Sequence, residues 1–159
     1  MGGLSLRIIR IKDLDFFIDE GFDIDITSLE NIDIQWNSNI VFKKEEKRFD
    51  FTIGIKFQKK GDQKESFLGG HFLTSFFTEN VDDFLNKSKD KYDIPDQAII
   101  TMFSLSVTHA RALLAKASMG SRYNDLYLPA INPTELLRQV HRGLLDLDKD
   151  KKKQAKSKK

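Results

Sequence analysis

The hydrophobic period of this chain changes once, just before Pro95, and nothing else in the sequence restricts its fold as much. Ahead of that point apolar residues recur mostly at every second position; beyond it they recur at every third or fourth. A period of two marks a strand with one covered face, and a period near 3.6 marks a helix with an apolar stripe. Strands come first and helices last, which is the order of an α+β domain. The 159 residues suffice for one domain with a real core.

The β segments come first. Leu4–Phe17 alternates broadly, with apolar residues on both faces at its start. Phe22-Asp23-Ile24-Asp25-Ile26 alternates strictly and either continues that strand or starts a short one. Ile32–Trp36 follows, then Ile40–Phe42 after Asn37-Ser38-Asn39. Phe49–Phe57 is the cleanest strand, with five large apolar residues on one face. KKEEKR (Lys43–Arg48) reads as a solvated turn before it. A turn centred on Gly61-Asp62 leads to Phe67–Phe77, and the two strands read as a hairpin with a long loop. Gly69-Gly70 inside the second strand points to a bulge or a close backbone approach.

From Pro95 to Ala117 the spacing predicts an amphipathic helix of about five to six turns. Pro95 suits its first turn and Gly120 its C-terminal stop. A second helix starts at Asn132-Pro133-Thr134-Glu135, where Asn caps, Pro takes the first helical position and Glu reaches back. Its stripe is Leu136, Leu137, Val140, Leu144 and Leu147, before lysines end it. Between the helices, Ser121–Ile131 is apolar yet carries Pro129, with Pro133 close behind. Neither a helix nor a central strand can run through it, so it is an extended connector lying on the sheet or the first helix.

Composition excludes several chemistries. There is no cysteine, hence no disulfide, thiolate metal site or cysteine nucleophile. His71, His109 and His141 fall in different elements, and no phosphate loop, dinucleotide fingerprint or nucleophile elbow is present. No enzyme, cofactor or metal is expected. The N-terminus has neither signal-peptide order nor a long apolar run, so a cytoplasmic protein without membrane insertion is expected. The net charge of +2 hides a tail, Asp148–Lys159, whose seven lysines and two aspartates leave the body near −3. Residues 1–147 are expected to form the domain and 148–159 a disordered tail. Thirteen phenylalanines are a heavy aromatic load, read first as core, with room for an apolar surface.

Lys12-Asp13-Leu14-Asp15-Phe16, Trp36 just before a second strand, and above all Leu126-Tyr127-Leu128-Pro129-Ala130-Ile131-Asn132-Pro133-Thr134-Glu135-Leu136-Leu137 resemble the SecB export-chaperone family. The likeness spans about Leu4 to Val140 and is best to divergent SecB-like members. It implies a four-stranded antiparallel sheet packed on a long helix, a second C-terminal helix, and a homotetramer built as a dimer of dimers. It implies an ATP-independent holdase for unfolded secretory polypeptides that hands them to the SecA motor, with Asp13 and Asp15 at the translocase contact. Two positions depart: Phe17 stands where the family has an acidic residue, and Ser38 where it has a proline. Chaperoning is thus better supported than delivery to SecA. Members that guard toxin–antitoxin pairs are an alternative reading; a nucleic-acid-associated protein using the lysine tail is another, disfavoured by the acidic body.

An unfolded client presents apolar stretches of arbitrary sequence, and aromatic-walled grooves accept many shapes with few torsions to freeze. The connector Tyr123–Ile131 is expected to form one wall of such a groove, facing Trp36 and Phe42, with Tyr123, Leu126, Tyr127 and Leu128 as client-binding residues. The small-sided helix face carrying Ser106, Ala110, Leu113 and Ala117 is expected at the oligomer interface.

Overall fold

A computed structural model describes residues 2–62 and 65–145. Strands β1 (Leu6–Ile18), β2 (Ile32–Lys43), β3 (Arg48–Lys59) and β4 (Ser66–Thr78) form one antiparallel sheet in the order β1-β4-β3-β2. A two-residue ladder, β5 (Leu85–Asn86) with β6 (Lys91–Tyr92), leads into α1 (Asp96–Ser118), and α2 (Pro133–Val140) follows the connector. The α+β architecture expected from the period change is the one observed. The lysine-rich segment 148–159 and Leu147 lie outside the described residues.

The alternation of β3 builds the core. Phe49, Phe51, Ile53, Ile55 and Phe57 all face inward and are at most 6% exposed. Phe72 and Phe76 of β4 join them, and α1 lays Met102, Phe103, Val107, Ala110 and Leu114 on top. Apart from Ala110, each such side chain contributes roughly 1.5–3 kcal/mol by leaving water. Seven phenylalanines are buried, the other six are partly covered and none is exposed, so the aromatic load is core first. By length and composition α1 could cross a bilayer, but a third of its apolar window is buried inside this fold.

Four expectations change. Phe22–Ile26 joins no ladder; its alternation reflects Ile24 turning into the core. Ile32–Trp36 and Ile40–Phe42 are a single strand, because β3 pairs residue for residue across Asn37-Ser38-Asn39. Asn37 faces Gly54, and a Cβ there would collide with the Asn37 amide. The second helix stops at Val140 rather than at the lysines: His141 leaves helical geometry and Gly143 takes φ +79°, which folds Leu145 back into the core. Glu135 does not close a capping box but pairs forward with Arg138 at 2.8 Å, although Asn132 does cap, accepting from the N–H groups of Thr134 and Glu135.

The Gly69-Gly70 pair is a close approach. A Cβ on Gly69 would meet the Ile55 carbonyl and the Phe17 ring, and one on Gly70 the Asp15 carbonyl.

Candidate functional site

In the order β1-β4-β3-β2 both β1 and β2 are edges, and an edge strand presents a row of unpaired N–H and C=O groups. The bond from Lys60 N–H to the Asn31 carbonyl, 2.8 Å, sets the phase of the β2–β3 ladder. In an antiparallel pair bonded residues alternate, so odd-numbered residues of β2 bond β3 and even-numbered ones point outward. The outward backbone groups are those of Ile34, Trp36, Ser38, Ile40 and Phe42, and no other described segment bonds them. The same residues turn their side chains to the inner face, where all are partly covered; their odd-numbered neighbours are exposed.

The two edges differ in how they are guarded. β1 carries Arg7, Arg10, Lys12, Asp13 and Asp15, and its pairing slips twice, between Ile8 and Arg10 and between Asp13 and Asp15. Charges and bulges of this kind deter strand addition. β2 keeps twelve consecutive pairs without a slip, and between Asp33 and Lys43 it has neither charge nor proline.

Both ends of the inner lane of β2 open into hollows. One, of about 400 Å³, lies between Ile34, Trp36 and the connector Pro129–Ile131, closed by Leu136 of α2. The other, of about 430 Å³, lies between Ile40, Phe42 and the segment Lys91–Ile94, with Ile99, Met102 and Leu144 beneath. Phe42 stacks on Phe49 at 4.4 Å and meets the edge of Tyr92 at 5.0 Å. Trp36 and Phe42 are six residues apart, hence about 20 Å along the strand. Between them the Ser38 hydroxyl is buried without a hydrogen-bond partner.

The six expected client-binding residues therefore do not line one groove. Tyr123 is fully buried: its ring lies 5.0 Å from that of Phe67 and its hydroxyl donates to the Asp19 carbonyl at 2.5 Å. Leu126 and Leu128 are 8% exposed and belong to the core. Tyr127 is 66% exposed and lines a separate shallow hollow with Thr108, Arg111 and Ala112 of α1, which Trp36 does not reach. The connector thus borders two separate hollows, one at Leu126–Leu128 and the other at Pro129–Ile131. Arg111 straps it down, donating to the carbonyls of Leu128 and Pro129 at 3.1 Å each.

The other expected sites are also redistributed. The slip at Leu14 puts Asp13 opposite Phe72 on the inner face and Asp15 opposite His71 on the outer face, so the two carboxylates share no surface. Asp15 accepts from the His71 backbone N–H and lies 2.9 Å from its Nδ1. On α1, Ser106 and Ala110 pack on the chain's own sheet at 1% and 0% exposure; Leu113 is half-buried and Ala117 exposed. The face that α1 leaves free carries Leu105, Thr108, Ala112, Ala115 and Met119 instead.

Sequence reasoning missed Tyr92 and Ile94, which only the turn after β5 brings against Phe42. It also missed Arg122, whose guanidinium donates to the carbonyls of Phe22 and Ile24 at 2.9 and 2.8 Å. Those bonds replace the ladder that Phe22–Ile26 lacks. An isolated arginine in a connector gives no local signal of such a role.

Burial makes His109 and His141 harder to protonate than a free imidazole. His109 Nδ1 lies 3.1 Å from the Thr74 hydroxyl, and His141 Nε2 is buried without a partner. With both folded pKa values depressed, the unfolded chain binds more protons, so stability falls as pH drops below the unfolded value of about 6.5. The melting temperature should be lower at pH 5.5 than at pH 7.5, and His109→Gln with His141→Gln should flatten the difference. Asp50, whose burial is outweighed by bonds from Ser75 and Arg48, is held below the usual carboxylate range and does not titrate in this window.

Comparison with family models, with curated proteins and with solved structures yields no match for this chain. Among the described residues no group of three or more His, Asp or Glu side chains is arranged to hold a metal ion.

Proposed function

We propose that this protein is an ATP-independent holdase that captures unfolded polypeptides in extended form along the edge of β2. The observation that carries this reading is the unguarded β2 edge, whose free backbone groups belong to the residues that line the apolar lane. An added strand hydrogen-bonds to backbone, which is independent of client sequence, and places alternate side chains on the inner face. Apolar client residues about six positions apart would then reach the hollows at Trp36 and Phe42. Such sites bind weakly one at a time and gain from repetition in an oligomer through effective concentration. The likeness of the Leu126–Leu137 segment to SecB-like chaperones points the same way. Hand-over to SecA belongs to this reading as a further step, with Asp15 the carboxylate placed on the outer face.

Amide exchange tests the site. Adding an unfolded, apolar client without nucleotide should suppress its aggregation and protect the N–H groups of Trp36, Ser38 and Ile40. Unchanged exchange at these amides, with no suppression, would remove the proposal.

The assembly proposed is a homotetramer. Leu105 and Met119 on the free face of α1 are 37% and 70% exposed, and Ile8 and Ile11 on the inner face of β1 are 41% and 46% exposed. These exposed apolar side chains are the surface offered to neighbouring copies. Ala112→Glu, which places a charge in the middle of that helix face, should shift the mass by light scattering from tetramer to smaller species. A wild-type monomer at micromolar concentration would exclude the assembly.

A further inference from the structure

The outer face of the sheet, turned away from α1, segregates charge. Register places Arg7, Arg10 and Lys12 of β1, Arg48 and Lys56 of β3 and Lys43 of β2 on it, against the carboxylates of Asp15, Asp50 and Asp33. Six cations face these three carboxylates and that of Glu46, which pairs with Arg48, in a domain whose body is otherwise acidic. Asp50 is already engaged, by Arg48 at 3.1 Å and Lys43 at 3.5 Å. Arg7, Arg10 and Lys12 are exposed, and among the described residues none of the three has an ion-pair partner.

The slip between Ile8 and Arg10 creates this row. Three positions separate Arg7 from Arg10, which in a regular strand would put them on opposite faces. The extra residue restores the phase, so Arg7, Arg10 and Lys12 stand opposite Phe77, Ser75 and Leu73 in successive rows. The cations are then about 7 Å apart in a line. At one end the Arg7 guanidinium lies over the Phe77 ring, 5.1 Å from its centroid. That pair sets an aromatic ring beside a guanidinium, the two groups on which unpaired bases settle.

We propose that this face binds single-stranded nucleic acid, with successive phosphates over Arg7, Arg10 and Lys12 and a base on the Arg7–Phe77 stack. The row of cations alone would suit an acidic polypeptide as well; the aromatic ring paired with Arg7 at its end favours the nucleic acid. The site lies on the face opposite the inner lane of β2, so a client strand and a nucleic acid do not compete for the same side chains. A holdase so equipped would sit near transcripts or ribosomal RNA, where unfolded chains emerge. The proposal stands whether or not the β2 edge captures clients.

Fluorescence anisotropy of a labelled oligo-uridine with the full-length chain tests it. Three phosphate contacts give a log–log salt slope of about −2 for a single strand, roughly a sixteen-fold loss of affinity between 50 and 200 mM salt. Replacing Arg7, Arg10 and Lys12 together by Gln should lower affinity at 50 mM salt at least about tenfold, with the melting temperature unchanged. A second full-length variant, with the seven lysines of residues 149–159 changed to Gln, should retain most of the binding. Equal binding by the triple variant and wild type, or loss confined to the tail variant, would assign the contact to the tail and overturn the proposal. No binding by wild type would overturn it directly. Displacement of the oligonucleotide by poly-glutamate at equal charge concentration would reassign the face to acidic polypeptides and overturn it too.

Discussion

Tyr123→Ala lowers stability by about 3–5 kcal/mol, while Tyr127→Ala, only four residues on, changes it by less than about 0.5 kcal/mol. The first ring is fully enclosed, packs on Phe67 and donates its hydroxyl to the Asp19 carbonyl, so truncation opens a cavity and removes that hydrogen bond. The second is two-thirds exposed and leaves a shallow hollow when removed. Urea unfolding of the two variants measures the contrast. Tyr123→Phe, which keeps the packing, should cost only about 1 kcal/mol. Comparable losses from the two alanine variants would show that the connector sits differently on the fold.

The other large effect is on clients. With Trp36 and Tyr127 both replaced by alanine, affinity for an unfolded client should drop at least about tenfold, while stability falls by under about 2 kcal/mol. Trp and Tyr are enriched among the few interface residues that, once enclosed by a partner, carry about 2 kcal/mol or more of the binding free energy. Trp36 stands on the exposed-edge strand beside Pro129–Ile131, and Tyr127 at the separate hollow beside Leu126 and Leu128 of the same connector. The single variants separate the two hollows: Trp36→Ala should account for most of the loss if clients add along β2. A double variant that loses several kcal/mol and its assembly would make the rings core. One that binds as tightly as wild type would reduce the connector to a strap holding α2.

What the residues determined by themselves was local. The alternation of Phe49–Phe57 dictated a strand with one buried face, since no other backbone puts all five side chains on one side. The capping asparagine and Pro133 placed the start of α2 to the residue, because their chemistry acts within one turn. Pro129 and Pro133 kept the stretch from Leu126 to Asn132 out of helix and ladder, which follows from fixed φ and a missing donor, whereas Ser121–Asp125, expected to be extended with it, is a run of turns.

What required the tertiary structure was every assignment of a side chain to a face that depends on a distant partner. Asn37-Ser38-Asn39 looks like a break, yet pairing with β3 carries the strand through it, because Gly54 opposite leaves room for Asn37. The small residues of α1 read equally as a face for a neighbouring chain or for the chain's own sheet; Ser106 and Ala110 proved to lie on the sheet. Tyr123 and Tyr127 are the same residue type in one connector, and only the position of Asp19, more than a hundred residues earlier, separates core from surface. The cations of β1 are scattered in sequence and form a row only because a bulge changes the strand's phase. Local patterns record which backbone a segment adopts, whereas burial, register and the exposed edge arise from contacts between segments that the chain brings together only on folding.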